Sequence, residues 1–217
     1  MMLEARNLKK AYGKKVKTVA VDGISYTFQE GRSYAIVGPS GSGKTTFLYL
    51  LAGIEVPDEG EVIFDGKSLF RMNEDERARF RAEHFGFVFQ HFYLIPYLNA
   101  VENVAMRFYL KGEKPDFERA RKALERLGIR ENKKPYEYSG GEQQRIGIAR
   151  AIVTDPRVVF ADEPTGNLDS RNSRVVFEIL KSLADEGKIV IIATHDMELA
   201  NMCDVVIRLR DGRIETT

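Results

Sequence analysis

The feature that most constrains the fold of this chain is the glycine-rich segment GPSGSGKT, residues 38–45. It follows the short apolar run YAIV (34–37) and precedes TTFLYLLAGI (45–54), which has helical spacing. A strand, a glycine loop and a helix in this order let backbone N–H groups converge on phosphate oxygens, helped by the positive end of the helix dipole. The segment therefore predicts a phosphate-binding loop.

The side chains of this loop fit the same chemistry. Lys44 supplies a positive charge for the β- and γ-phosphates, and the Thr45 hydroxyl can bind Mg²⁺. The predicted nucleotide-binding residues are Gly38, Pro39, Ser40, Gly41, Ser42, Gly43, Lys44, Thr45 and Thr46.

The rest of the chain predicts an α/β fold. Unbroken apolar runs such as VVFAD and IVIIAT alternate with helical patterns after residue 156, which is typical of a mostly parallel sheet buried on both faces. The first thirty residues have strand and turn patterns, and helical periodicity dominates from about residue 72 to 150, interrupted at 85–98. We expect a single domain over 1–217, with 1–90 and 151–217 as the α/β core and about 91–150 as a helical insertion.

Composition excludes several classes of protein. The 33 basic and 32 acidic residues give a net charge of +1, whereas a protein organised around nucleic acid needs a basic excess, so no nucleic-acid partner is expected. Cys203 is the only cysteine, which excludes a disulfide framework and favours a reducing compartment. No signal peptide is visible, and the apolar runs are too short to span a bilayer, so any membrane role requires a partner.

Polar side chains follow several of the predicted strands. Asp162 and Glu163 end VVFADE, Gln90 ends FGFVFQ, and His195 follows IVIIAT. Ligands bind at the carboxyl ends of strands in open α/β sheets, so these residues are candidates to meet the nucleotide. Asp162 suits Mg²⁺, and Glu163 suits a general base that activates an attacking water. Gln90 and His195 are candidates to contact the γ-phosphate, the Mg²⁺ or that water.

A second anion-binding pattern lies in YSGGEQQR (138–145). Ser139 and Glu142 have the spacing of a capping box, and Gly140 and Gly141 leave room beside the backbone. The segment has no adjacent lysine of the phosphate-loop kind and no Mg²⁺ ligand, so it predicts an incomplete site. It could grip a phosphate chain that is held elsewhere, or it could simply cap a helix.

Two other nucleotide-binding classes are disfavoured. A guanine-specific switch needs Asn-Lys-x-Asp, but the only Asn-Lys, in NKKP (132–135), lacks the aspartate. A nucleotide kinase needs neither the acid pair nor the second glycine cap.

Six segments together, in order, resemble the motifs of the ATPase subunit of ABC transporters. They are GPSGSGKT, Gln90, YSGGEQQR, VVFADEP, GNLDS (166–170) and THD (194–196). ADEPTGNLDS and GFVFQHFYLIPYLNAVENV further resemble the branch that serves lipoprotein release, macrolide export and the bacterial cell-division ABC pair. The resemblance covers nearly the whole chain and implies the P-loop NTPase fold of ABC ATPases, with a mostly parallel central sheet, an N-terminal antiparallel β part and a helical subdomain.

The resemblance also implies roles for individual residues. ATP and Mg²⁺ are the implied cofactors, with Thr45, Gln90 and Asp162 around the metal and with Glu163, His195 and Gln90 in catalysis. Tyr12 takes the place of an aromatic that stacks on adenine, although an exposed edge-strand tyrosine is the alternative.

Other implied roles involve a second copy of the chain. Ser139, Gly140, Gly141 and Glu142 would contact the ATP of that copy, and Asp169 of the D-loop would lie near its site, in a homodimer with ATP at the interface. The chain departs from the usual signature in having Tyr138 where leucine is common and Glu142 where glutamine is common.

The implied function is an ATP-hydrolysing subunit that powers an integral membrane permease exporting or extracting a lipophilic or peptide-like substrate. The alternative is a signalling ATPase that pairs with a membrane regulator of cell-wall enzymes and moves no substrate. Either role places the chain in the cytoplasm at the inner face of the membrane. The aromatic stretch HFYLIPYL (91–98) could receive the permease or form buried core, and the sequence leaves both open.

Overall fold

The computed structural model describes residues 1–13 and 17–215, and its strands and helices follow the predicted order. The strands are β1 (Met2–Tyr12), β2 (Thr18–Gln29), β3 (Arg32–Val37), β4 (Glu59–Phe64), β5 (Lys67–Ser68), β6 (Phe85–Phe89), β7 (Val158–Asp162), β8 (Ile189–Thr194), β9 (Val205–Arg210) and β10 (Arg213–Ile214). The helices are α1 (Lys44–Leu51), α2 (Glu74–His84), α3 (Ala100–Leu110), α4 (Phe117–Arg126), α5 (Gly140–Ile152), α6 (Ser170–Asp185) and α7 (Met197–Ala200).

The central sheet has the strand order β10-β9-β3-β8-β7-β6, in which β9 to β6 are parallel and β10 pairs antiparallel with β9. Its register aligns the carboxyl ends of the strands. Val37 pairs with Thr194, and Asp162 pairs with both Ala193 and Phe89. The polar residues that follow these strands therefore meet at one edge of the sheet, as the sequence predicts.

Alternation along the buried strands gives the sheet two cores. Val159 and Ala161 of β7 pack on one face with α3 to α6, while Val158 and Phe160 pack on the other with α1 and the N-terminal strands. Apolar residues on both faces explain why these strands appear in the sequence as unbroken apolar runs.

The N-terminal β part is a separate antiparallel sheet in the order β2-β1-β4-β5. Leu8, Val21 and Phe28 of this sheet are fully buried against Phe47 of α1. The packing holds the sheet beside the phosphate loop, and the α/β fold with its antiparallel N-terminal part is confirmed.

Helices α3, α4 and α5 lie between β6 and β7 in the chain. Three helices in or next to this region begin with a capping box that can be recognised in the sequence. Capping boxes begin α2 at Asn73, α3 at Asn99 and α5 at Ser139, each with a glutamate three residues later. No helix among the described residues has the length and apolar character needed to cross a membrane.

Candidate functional site

The phosphate loop (residues 38–45) joins β3 to α1 and is shaped by close backbone approaches. A methyl group on Gly38 would lie 2.2 Å from the Leu209 carbonyl oxygen, and one on Gly43 would lie 2.1 Å from that of Ala20. Gly43 also has a φ of 100° and is the N-cap of α1, where it makes no side-chain cap. The first N–H groups of α1 are therefore free of a capping side chain and suit an anion.

Lys44 lies across this loop. Its Nζ donates to the carbonyl oxygens of Gly38 at 2.8 Å and Pro39 at 3.1 Å. The buried Ser42 hydroxyl oxygen has no hydrogen-bond partner, although buried polar atoms normally have one. The Ser42 hydroxyl is thus an unused donor, and the Lys44 ammonium group is held by carbonyl oxygens of the loop. Because both groups can turn to a phosphate, the loop fits a phosphate group.

Thr45 and Asp162 supply adjacent oxygen atoms beside the loop, since Thr45 Oγ1 donates to Asp162 Oδ1 at 3.0 Å. Burial raises the pKa of Asp162, although hydrogen bonding to Thr45 acts in the opposite direction. A bound divalent cation would offset the cost of burying this charge, and hydroxyl and carboxylate oxygens are the ligands that Mg²⁺ prefers. The two residues therefore fit the predicted Mg²⁺ site. In the described ranges, no group of three or more acidic, His or Cys residues is arranged so that it could hold a metal ion.

Tyr49 is a neighbour of this site that the sequence reasoning missed. Burial, together with the Asp162 carboxylate, raises the pKa of its hydroxyl to about 12, so Tyr49 keeps its proton. The spacing in the sequence could have identified it, because Tyr49 lies four residues after Thr45 and shares its face of α1.

Glu163 and His195 also meet at the edge of the sheet. His195 Nδ1 lies 2.9 Å from Glu163 Oε2, with the histidine side chain 70% exposed and the glutamate 19% exposed. Glu163 has a φ of 45°, which is unusual for a residue with a side chain, and its N–H donates to the Ala193 carbonyl. Such strain is common at functional sites, and here it turns Glu163 away from the strand direction that Asp162 follows.

Gln90 follows β6 as predicted, but its contacts are with the D-loop (residues 166–170). Asn167 Nδ2 donates to the Gln90 carbonyl at 3.0 Å, and the two side chains approach within 3.5 Å. A methyl group on Gly166 would lie 2.6 Å from Gln90 Nε2. The structure thus joins Gln90 to the D-loop through Asn167, which the sequence reasoning did not single out.

The signature turn (residues 139–142) begins α5 with the predicted capping box. The Ser139 N–H and hydroxyl both donate to Glu142 Oε2, at 2.8 Å and 2.6 Å, and the Glu142 N–H donates back at 3.4 Å. Hydrogen bonds from Ser139 lower the pKa of Glu142 and keep it charged. Two donors of this turn, the Ser139 N–H and hydroxyl, are therefore engaged by a carboxylate of the same chain.

Tyr138 explains one departure from the usual signature. Its ring is buried in the core shared with α3 and α5, and its hydroxyl accepts from the Lys133 N–H and donates to the Glu131 carbonyl. The residue therefore ties the loop before the signature turn to α5.

Asp169 and Tyr12 are both exposed, which the roles implied by the resemblance require. Asp169 is the N-cap of α6 and accepts from the Asn172 N–H at 2.9 Å. Tyr12 ends β1 with 43% of its surface exposed, and Lys10 Nζ lies 5.4 Å from the centre of its ring. Both residues are free to meet a ligand or a second chain.

The aromatic stretch 91–98 is partly surface and partly core. Tyr93 is 65% and Tyr97 86% exposed, whereas Leu94 packs against the core and Phe92 is half-buried. Arg150 holds this stretch by donating to the carbonyl oxygens of Phe92 and Tyr93.

Tyr93 also lines a groove of about 620 Å³, which we call the aromatic groove. Its apolar lining includes Ile54, Phe87, Phe89, Tyr93, Met106 and Leu110. Arginines 79, 81, 107 and 150 surround these residues, and no acidic residue lines the groove within the described parts of the chain.

Comparisons with known proteins agree with this geometry. The family model described as ABC transporter matches residues 21–166. An uncharacterised ABC transporter ATP-binding protein of Methanocaldococcus jannaschii is 45% identical, with 98% of this chain and 97% of that protein covered. The lipoprotein-releasing system ATP-binding protein LolD 2 of Chlorobaculum tepidum is 44% identical, with coverage of 99% and 92%.

A longer relative, the macrolide export ATP-binding/permease protein MacB of the same organism, is 43% identical over 97% of this chain and 33% of its own length. The structure is also similar to a dimeric structure of the ATP-binding cassette MJ0796 in a post-hydrolysis state bound to ADP and Pi. That match has a TM-score of 0.90 and 36% identity over 99% of this chain and 97% of the other. The chain therefore belongs to the ABC transporter family, as an ATP-binding subunit with ATPase activity.

Proposed function

We propose that this ATPase works as a pair of identical chains that close around ATP and drive a separate membrane permease. The observation that carries the proposal is the meeting of the phosphate loop, the Thr45–Asp162 pair and the Glu163–His195 pair at one edge of the sheet. This arrangement supports a single site in which a nucleoside triphosphate is bound, neutralised and hydrolysed.

Within one chain, the binding steps follow from the side chains present. Lys44 exchanges its loop carbonyls for the β- and γ-phosphates, and the N–H groups of residues 38–46 hold the phosphate oxygens. Thr45 and Asp162 would hold Mg²⁺, which would neutralise phosphate charge when bound, and Gln90 lies at the end of β6 on the same edge. Tyr12 offers its ring to the adenine.

Hydrolysis depends on Glu163. Its carboxylate accepts a proton from the attacking water, and His195, 2.9 Å away, positions the carboxylate and contacts the γ-phosphate. A general base of this kind contributes on the order of 10²–10⁴ in rate.

The signature turn supports the pairing of two chains. It has a helix N-terminus, the Ser139 hydroxyl and the Gly140 and Gly141 N–H groups, but Glu142 already opposes an anion there. The turn therefore suits a γ-phosphate that a second chain holds and neutralises, and Asp169 lies beside the same partner. The dimeric state of the MJ0796 cassette supports this arrangement.

The aromatic groove supports a membrane partner. Tyr93 lines the groove with 65% of its surface exposed, as a docking site for a cytoplasmic segment of a permease requires. Through that contact the chain would sit at the inner face of the membrane. The groove takes Ile54, Phe87 and Phe89 from the core and Tyr93, Met106 and Leu110 from the proposed helical subdomain 91–150.

The named relatives favour export or extraction of a lipophilic or peptide-like substrate over a purely signalling role. LolD 2 belongs to a lipoprotein-releasing system and MacB is a macrolide exporter. Substrate contacts would belong to the permease.

The Glu163→Gln variant tests the proposal. It removes the base but keeps the size of the side chain, so ATPase activity should fall by about 10²–10⁴ while ATP and Mg²⁺ hold the chains together. Sedimentation of the variant with ATP and Mg²⁺ should show a dimer, and ADP in place of ATP should give a monomer as the matched control. A monomer at high concentration with ATP and Mg²⁺ would contradict the pairing.

A further inference from the structure

The two glycines of the signature turn have different surroundings. A methyl group on Gly140 would find no heavy atom closer than 3.6 Å, which is ordinary contact. A methyl group on Gly141 would lie 2.3 Å from Asn172 Oδ1 and 2.5 Å from its Cγ. Glycine at 141 is therefore required by a side chain of the same chain, and the space above it is already filled by Asn172.

Asn172 holds the D-loop with its other end. Its Nδ2 donates to Asp169 Oδ2 at 2.6 Å, and its main-chain N–H donates to Asp169 Oδ1 at 2.9 Å. An ionised carboxylate only accepts hydrogen bonds, so the amide nitrogen must face Asp169 and the amide oxygen must face Gly141. One short side chain thus spans from the D-loop to the signature turn.

The rest of the D-loop packs on the same turn. Leu168 is the nearest residue to Gly140, followed by the Asn167 carbonyl oxygen, and Leu168 also packs against the core that contains Ile146 of α5. The backbone N–H of Leu168 donates to Thr165, which closes the D-loop on itself. The D-loop and the first turn of α5 therefore pack together, with the Asn172 side chain hydrogen-bonded to Asp169 and in close contact with Gly141.

We propose that Asn172 is a positioning residue that fixes the D-loop against the signature turn, so that the two surfaces facing the second chain keep one spacing. This inference rests on the proposed pairing, because Asp169 and Ser139 are the residues expected to meet the partner. If this spacing is lost, the D-loop and the signature turn must shift relative to each other before both can contact the second chain. ATP-driven closure then weakens.

Substitution of Asn172 separates this role from folding. In Asn172→Ala the main-chain N–H of residue 172 still donates to Asp169 Oδ1, so Asp169 still caps α6 while the side-chain contact with Gly141 is removed. In a Glu163→Gln background with ATP and Mg²⁺, we expect the dimer dissociation constant to rise about tenfold. ATP affinity of the monomer should stay within about twofold, because Asn172 does not touch the phosphate loop.

Glu178→Ala is the matched control on the same helix. Glu178 is exposed and pairs with Arg174 one turn earlier, a surface contact of little energetic weight. We expect this variant to leave the dimer dissociation constant unchanged.

A double-mutant cycle with Gly141→Ala supplies a readout that a merely structural role would not move. Gly141→Ala alone should weaken the dimer more than tenfold, because the new methyl collides with Asn172. Adding Asn172→Ala removes the obstacle and should bring the double variant to within about threefold of Asn172→Ala alone.

The outcomes separate the two proposals. A Glu163→Gln chain that never dimerises overturns the pairing itself, and the inference falls with it. A Glu163→Gln dimer that Asn172→Ala leaves unchanged overturns the inference alone. A double variant whose dimer is no tighter than that of Gly141→Ala also overturns the inference alone. In that case a ligand, and not Asn172, would be what excludes a side chain at position 141.

Discussion

The phosphate loop and the signature turn both place glycines at the start of a helix. They differ in whether a side chain of the same chain caps that helix. The N-cap of α1 is Gly43, so the helix has no capping side chain, and its first turn has no acidic residue. The N-cap of α5 is Ser139, whose side chain caps the helix, and Glu142 lies in its first turn. The first arrangement leaves these donors open to an outside anion, whereas in the second Ser139 and Glu142 hydrogen-bond each other and the bonds within the turn do not use the Gly140 and Gly141 N–H groups.

The difference shows how a sequence specifies a complete anion site as opposed to a shared one. At α1 the chain adds a lysine and a hydroxyl–carboxylate pair, so charge and metal ligands converge on one phosphate chain. At α5 the nearest added charge is negative, and the lysine nearest in sequence, Lys134, donates to the Tyr97 carbonyl instead. This supports the proposal that the signature turn binds a phosphate that another site has already neutralised.

Lys44→Ala should have the largest effect and tests whether binding energy belongs to the phosphate loop. Removing the charge that meets the β- and γ-phosphates should weaken ATP binding to the monomer by about 100-fold or more, which is about 2.7 kcal/mol. Equilibrium binding of a fluorescent ATP analogue measures the change. Ser139→Ala should leave the same measurement within about twofold, and equal losses for the two variants would erase the proposed distinction.

Ser139→Ala should have an intermediate effect, and it separates capping from binding. The loss of the cap should cost about 1 kcal/mol of stability, as measured by urea unfolding. Asn73→Ala is the matched control, because Asn73 and Glu76 form the same capping box at the start of α2. Both variants should lose similar stability, but only Ser139→Ala should weaken the ATP-driven dimer of the Glu163→Gln chain, by about tenfold. Equal dimerisation of the two variants would reduce the signature turn to a helix cap.

Glu142→Gln should have the smallest effect and the opposite sign. Glutamine keeps the capping geometry but removes the negative charge beside Ser139, so the ATP-driven dimer should tighten by about threefold. The gain should be constant from pH 6 to pH 8, because the Ser139 hydrogen bonds lower the pKa of Glu142 and leave it charged throughout that window. Sedimentation across this range checks both points, and a gain that vanishes near pH 6 would contradict the assigned charge.

Much of this site could be predicted from the sequence because its signals are local. The phosphate loop is contiguous, and Asp162, Glu163, Gln90 and His195 each follow a strand whose apolar run is unmistakable. Parallel strands bring such residues to one edge whatever their order in the sheet. The capping boxes are local as well, since each spans four residues.

What escaped prediction depends on contacts between distant segments. Asn172 meets Gly141 only because α6 packs beside α5, and Asn167 reaches Gln90 across 77 residues of sequence. The strained φ of Glu163 is equally invisible, because it arises where β7 ends against β8. The partial burial of 91–98 stayed open for the same reason, because it depends on which residues α3 and α5 cover.

The most direct test of the central claim mixes two inactive chains. Lys44→Ala breaks the phosphate loop and Ser139→Asp breaks the signature turn while keeping a residue that can cap α5. If each ATP lies between the loop of one chain and the turn of the other, a mixed pair contains one intact site. An equimolar mixture should then recover about a quarter of the wild-type ATPase activity, since about half of the pairs are mixed. A mixture no more active than the mean of the two variants alone would contradict the claim that the signature turn completes the site of a second chain.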